Sequence, residues 1–192
     1  MLDGGRQKPV EGWTGREKVY FPEPLGERWV YFIVDVPDYF LQPRYFGAKT
    51  VEFKIGSELD GLNRCLSGLR QVKKILDLKT LDVLVPLSRA LIYSASLFGT
   101  SQGAVMVEVS GQDNVRPRAM GLCVFAESQG QIIPAILPSI ATQMILNQEI
   151  AFPGIIPLSD WLPRQRFMSE LKKRHVRTAV KTDDSEAWLV SK

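Results

Sequence analysis

The sequence predicts an α+β fold, a mixed, largely antiparallel sheet with helices packed on it. Three observations carry this. The order of apolar runs reads β-β-β-α-α-β-β-α-α-β, which lacks the strict alternation of a parallel sheet. The runs Gly103–Ser110 and Arg118–Glu127 flank the turn residues Gly111-Gln112-Asp113-Asn114, the pattern of an antiparallel hairpin. Apolar residues make up 45% of the 192 positions and charged ones 23%, enough for a buried core without disulfide or metal.

The elements follow in order. Residues 1–17 are polar, glycine-rich and aperiodic, and read as a flexible leader. Val19-Tyr20-Phe21 is a short strand stopped by Pro22 and Pro24. Arg28 to Val34 is an aromatic and β-branched run, and its part Trp29–Val34, too apolar to face water along its length, is expected as an open edge strand through which the chain self-associates. Gln42-Pro43-Arg44 falls in a loop, and Lys49–Gly56 alternates so that Val51, Phe53 and Ile55 share one buried face. Ser57 with Asp60 approximates a capping box, and Leu59, Leu62, Leu66, Leu69, Val72 and Leu76 continue at helical spacing. A second helix is expected over about Thr80–Phe98, with Pro86 as its first turn or a kink and Gly99 as its cap.

After the hairpin, Gly130 opens a third helix with Ile133, Ile136, Leu137, Ile140 and Met144 on one side. Residues 152–158 form an extended loop. A fourth helix carries Phe167 and Leu171 inward, and His175–Val180 reads as the last strand. The expected organisation is therefore a leader (1–17), one α+β domain (18–181) and a polar tail (182–192).

Charge and composition remove several function classes. Lys plus Arg is 24 against 21 for Asp plus Glu, a net charge of +3, too weak a bias to imply nucleic acid. The basic cluster Arg164, Arg166, Lys172, Lys173, Arg174, Arg177 and Lys181 has no interleaved stacking platform and reads as a solvated face. The uncharged run Ser128–Gln148 is broken by glutamines, Pro134 and Pro138, so no membrane span is expected. Cys65 and Cys123 are expected as two buried thiols of a cytoplasmic protein. A single histidine, His175, follows Lys172-Lys173-Arg174 at a helix C-terminus, where positive charge is favoured.

No dinucleotide fingerprint or P-loop is present, and Gly99-Thr100-Ser101-Gln102-Gly103 is expected between a helix and a strand, the wrong order for a phosphate-binding turn. Two places could hold a ligand. The third helix begins at Glu127-Ser128-Gln129-Gly130-Gln131, where Gly130 allows close approach and the N–H groups of Gln131 and its successors suit an anion; a self-capped turn explains the same residues. Arg44 and Tyr45 could clamp a carboxylate, or Arg44 is simply a surface arginine. The two places together define the expected substrate site: Arg44, Tyr45, Gly130 and Gln131.

Three stretches carry a family resemblance. Phe21-Pro22-Glu23-Pro24-Leu25-Gly26 with Tyr31, followed by Lys49–Gly56, resembles the region after the nucleotide domain of saccharopine dehydrogenase-like oxidoreductases. Gly103–Gly111 is similar to their hairpin strand, and Asn147–Pro157 with Trp161 and Phe167 to their closing segment. The match runs over about residues 18–180. It implies a second domain like that of glyceraldehyde-3-phosphate dehydrogenase, which binds the small-molecule substrate and forms a homodimer. A Rossmann domain would hold NAD or NADP on the same or a separate chain, so this chain alone is expected to bind no cofactor and to be inactive as an enzyme. A stand-alone, non-enzymatic binding or interaction module that kept the fold is the competing expectation. No catalytic residue carries over, because the matched motifs are structural.

Overall fold

The computed structural model describes residues 1–75, 85–86, 89–90, 93, 98–113, 116–150, 154, 156–183 and 185–191. The helix expected over Thr80–Phe98 lies mostly outside the described residues, as does much of the loop expected over 152–158. The fold is α+β with antiparallel sheets, and the strands form three sheets in place of one. The chain divides into two compact units where one domain was expected. The first comprises Met1–Tyr20 with Glu27–Thr100, the second Phe21–Gly26 with Ser101–Lys192.

In the first unit the expected leader is structured. Strands β1 (Leu2–Asp3) and β2 (Arg6–Gln7) pair across Gly4 and Gly5, both at positive φ, the geometry a two-residue hairpin turn demands. Leu2 is buried and exchanges backbone hydrogen bonds with Val51, and Gly5 donates to Lys49. Backbone pairing thus orders a segment whose composition is that of a loop.

Strand β4 (Glu27–Phe32) sits between β3 (Glu17–Tyr20) and β5 (Lys54–Ile55). The aromatic strand is therefore central, and the expected edge is already paired on both sides. The alternating stretch 49–56 contributes two residues to the sheet, and Phe53 and Ile55 are exposed. Lys54 instead lies half-buried, paired with Glu17 and Glu52. Helix α1 (Asp38–Phe46) replaces the loop expected around Pro43. Gly47, left-handed at φ 64°, caps it by donating its N–H to the Pro43 carbonyl, so the helix closes despite its internal proline.

Helix α2 (Asp60–Ile75) starts as the spacing predicts, but its cap differs. The fully buried Asn63 accepts from the Ser57 N–H at 2.8 Å, and its amide donates to Ser57 O and Trp29 O. Gly56 passes against the same Trp29 carbonyl, so close that a Cβ would lie 2.1 Å from the oxygen. Asn63 thereby ties α2 to the central strand.

The second unit is built on an antiparallel sheet in the order β6 (Gly103–Asp113), β7 (Arg116–Ala126), β8 (Arg177–Thr182), β9 (Ser185–Val190). The expected polar tail thus supplies an edge strand, because Trp188 and Val190 have apolar neighbours to cover. The two-residue period of β7 separates two clusters. Cys123 and Phe125 meet Leu25, Phe21, Ala179 and Trp188 on one face. Ala126, with Val124 beside it, meets α3 (Ile133–Leu146) and α5 (Arg164–Lys173) on the other. A short helix, α4 (Leu158–Trp161), precedes α5. Ile136, Ile140 and Met144 of α3 and Leu171 of α5 are buried there, as their helical spacing predicts. On that same face, toward the far end of the hairpin, Val105, Val107, Val109, Met120 and Leu122 stay exposed.

Candidate functional site

The four expected site residues fall in both units. Arg44 and Tyr45 are exposed in the last turn of α1, a helix C-terminus that itself favours a cation. Gly130 and Gln131 begin a 3-10 turn (Gly130–Ile132) that leads into α3. Gly130 is buried, its N–H donates to Ser101 O at 2.6 Å, and a Cβ on it would stand 2.2 Å from the Gly103 nitrogen. The close approach that glycine permits is therefore to the chain's own backbone, which fills the space expected for a ligand. Gln131 is exposed.

The cleft of this unit opens beside that turn. It has a volume of about 590 Å³, and Glu127, Ser128, Lys172, His175, Arg177 and Ser191 contribute polar groups to its wall. Four elements bring them together: the ends of β7 and β9, the last turn of α5 and the start of β8. Leu171 and Val176, both buried, hold α5 and the entrance to β8 against the core. His175, two residues past the end of α5, has a left-handed backbone at φ 56° and donates its N–H to Lys172 O, which closes the helix before β8 begins at Arg177.

Arg177 pairs with Glu127 and lies 5.2 Å from the centre of the buried Phe125 ring, which fixes the guanidinium at the cleft. Across β8, Thr178 and Ser191 share a hydroxyl hydrogen bond of 2.8 Å, and the Ser191 N–H donates to Thr178 O. An ammonium, an imidazole, a guanidinium and hydroxyls on one concave surface suit a small anionic molecule carrying further polar groups. Position along the chain hides this set, since Glu127 and Ser191 meet β8 only through strand pairing. The basic helix, read from sequence as a solvated face, contributes Lys172 to the cleft. Much of the remaining basic charge is paired, Arg166 with Glu149 and both Lys173 and Arg174 with Glu170. The Arg174 guanidinium and the Lys173 ammonium hold the Glu170 carboxyl at about 2, well below the usual value.

The cysteines divide. Cys123 is fully buried, and burial pushes its thiol up to about 12. Cys65 is exposed, against the expectation of two buried thiols, because it lies on the outer side of α2. Among the described residues no group of His, Cys, Asp and Glu is placed to hold a metal ion, and no helix is long and apolar enough to cross a membrane. Comparison with protein-family models, curated proteins and solved structures finds no match.

Proposed function

We propose that this chain is the substrate-side part of a saccharopine dehydrogenase-like, NAD(P)-dependent oxidoreductase, working against a Rossmann domain that holds the cofactor. One observation carries the reading beyond the motif resemblance. Lys172, His175 and Arg177 converge with Ser191 on one cleft at the end of an antiparallel sheet. Such a cleft suits an anionic substrate, while no glycine-rich turn between strand and helix offers a cradle for a dinucleotide. In this reading Lys172 and Arg177 orient the substrate's anionic group, and the hydroxyls of Thr178 and Ser191 hydrogen-bond its polar substituents.

A nicotinamide held by the Rossmann domain would supply the hydride chemistry. The reading includes a cytoplasmic homodimer with the second domain type of glyceraldehyde-3-phosphate dehydrogenase. The exposed valines of β6 support a sheet-to-sheet contact better than the already paired β4.

Titration calorimetry of the purified chain with L-glutamate, as a dicarboxylate probe, and with NADH and NADPH tests this. Glutamate is expected to bind, with affinity lost in Lys172→Ala, and neither dinucleotide is expected to. A low-micromolar dissociation constant for either dinucleotide would overturn the assignment. Absence of any glutamate binding would instead favour the non-enzymatic interaction module.

A further inference from the structure

A second cleft lies wholly within the first unit, and its chemistry is independent of the oxidoreductase reading. It has a volume of about 470 Å³ and is lined by Trp13, Arg16, Tyr31, Arg64, Ser67 and Arg70 among others. We propose that it binds a small organic oxyanion, a carboxylate or phosphate carried on a flat ring.

Three guanidinium groups line the cleft. Arg16 and Arg64 both close on one oxygen of Asp60, at 2.9 and 2.7 Å, so two guanidinium groups share a single carboxylate. Arg70 adds a third, paired with Glu11. A guanidinium offers several N–H donors in a rigid fork that matches a carboxylate or phosphate. Among the described residues each of the three makes one side-chain hydrogen bond here. Among the described residues the Nε of Arg70 and the Oδ1 of Asp60 are both buried without a partner, a donor and an acceptor that a well-satisfied ion-pair network would not leave over.

The wall of the cleft is also held in place. Arg16 stacks on Trp29 with its guanidinium carbon 3.5 Å from the ring centre. The loop before it has an unusual backbone: Trp13 sits at φ 58°, and Gly15 at φ 62° where a Cβ would strike the Phe32 ring. Three hydrogen bonds enforce that shape. The Trp13 N–H donates to Phe32 O, the Phe32 N–H to Thr14 O, and the Ser67 hydroxyl to Trp13 O. A left-handed tryptophan is costly and persists where surrounding structure over-determines it. Its consequence here is an aromatic wall. The Trp13 and Tyr31 rings lie 5.8 Å apart, tilted by 49°, and give an apolar surface beside the cationic one.

Calorimetric titration of the full chain with phenyl phosphate and, separately, with benzoate tests the site. We expect saturable binding of at least one probe, and the tighter of the two identifies phosphate or carboxylate as the native group. Arg64→Gln and Arg70→Gln should each weaken it at least tenfold, which corresponds to about 1.4 kcal/mol. Arg64 is largely exposed, so Arg64→Gln keeps the experiment readable if Arg70→Gln folds poorly. Lys172→Ala, in the other unit, should bind the probe as the parent does, which separates this site from the glutamate cleft. Failure of both probes to saturate at on the order of 10 mM would overturn the proposal. Parent-like affinity in Arg64→Gln, or loss in Lys172→Ala, would do so equally.

Discussion

Replacing Asn63 by alanine tests how the first unit is held together. The side chain is fully buried, and all of its hydrogen-bonding capacity is used: its oxygen accepts from Ser57 N–H at 2.8 Å and stands 2.9 Å from the Ser57 hydroxyl, while its NH2 donates to Ser57 O and Trp29 O at 3.0 and 3.3 Å. Asn63→Ala strips the partner from one backbone N–H and two carbonyls. Each such loss costs about 1–3 kcal/mol when the group stays dry. Ser57 and Trp29 are half-buried, so water recovers part of this, and a net loss of about 3 kcal/mol is expected. That is a large share of a total stability of about 5–15 kcal/mol. Urea unfolding followed by tryptophan fluorescence, with Trp29 beside the change, should show the midpoint falling by about 1–2 M. Asn63→Asp keeps the shape but has no donor for the two carbonyls, so it should destabilise as well. Gln71→Ala, on the exposed side of the same helix, serves as the control. If Asn63→Ala lies within about 0.5 kcal/mol of the parent, the buried amide is not what joins helix to strand.

Three further outcomes follow from particular contacts. Gly130→Ala should lower the melting temperature, by about 2 kcal/mol of stability or more, because its Cβ would stand 2.2 Å from the Gly103 nitrogen; unchanged melting would restore the idea that this glycine faces open space. Glu170, held at about 2 against a usual 4.5 by Arg174 and Lys173, gives stability that is present above the usual value and lost as pH falls toward 2. Glu170→Gln should therefore melt below the parent at neutral pH, with the gap closing in acid, and a gap independent of pH would refute the ion-pair origin. Native protein should react with a thiol reagent at Cys65 alone, and with a second equivalent once denaturant exposes Cys123; two fast equivalents without denaturant would contradict its burial.

Local pattern made the helices of the second unit legible. Ile136, Ile140, Met144 and Leu171 recur at helical spacing, and all four are buried. The β6–β7 hairpin is likewise written in its alternation, with the pairing running unbroken from Gly103↔Ala126 to Asp113↔Arg116. Helix α1 was hidden because Pro43 is a strong local break signal, outweighed here by the Gly47 cap. The ends of the chain misread for a related reason. The polar, glycine-rich residues 1–17 and the tail 182–192, which opens on polar residues, look unordered by composition, yet backbone pairing with Val51 and with β8 orders Leu2 and Ser185–Val190.

The sequence by itself determined the class of the protein: antiparallel α+β structure, the hairpin and the apolar faces of α2, α3 and α5. These follow from side-chain period and turn chemistry, which act between near neighbours. Only the tertiary structure decided the partner of each strand, the centrality of β4 and the backbone role of Gly130. It alone decided the two clefts, in which Trp13 meets Arg70 and Glu127 meets Ser191 across long stretches of chain. Such meetings depend on register and packing between segments remote in sequence, and the energy that selects them is shared over many contacts with no local signature.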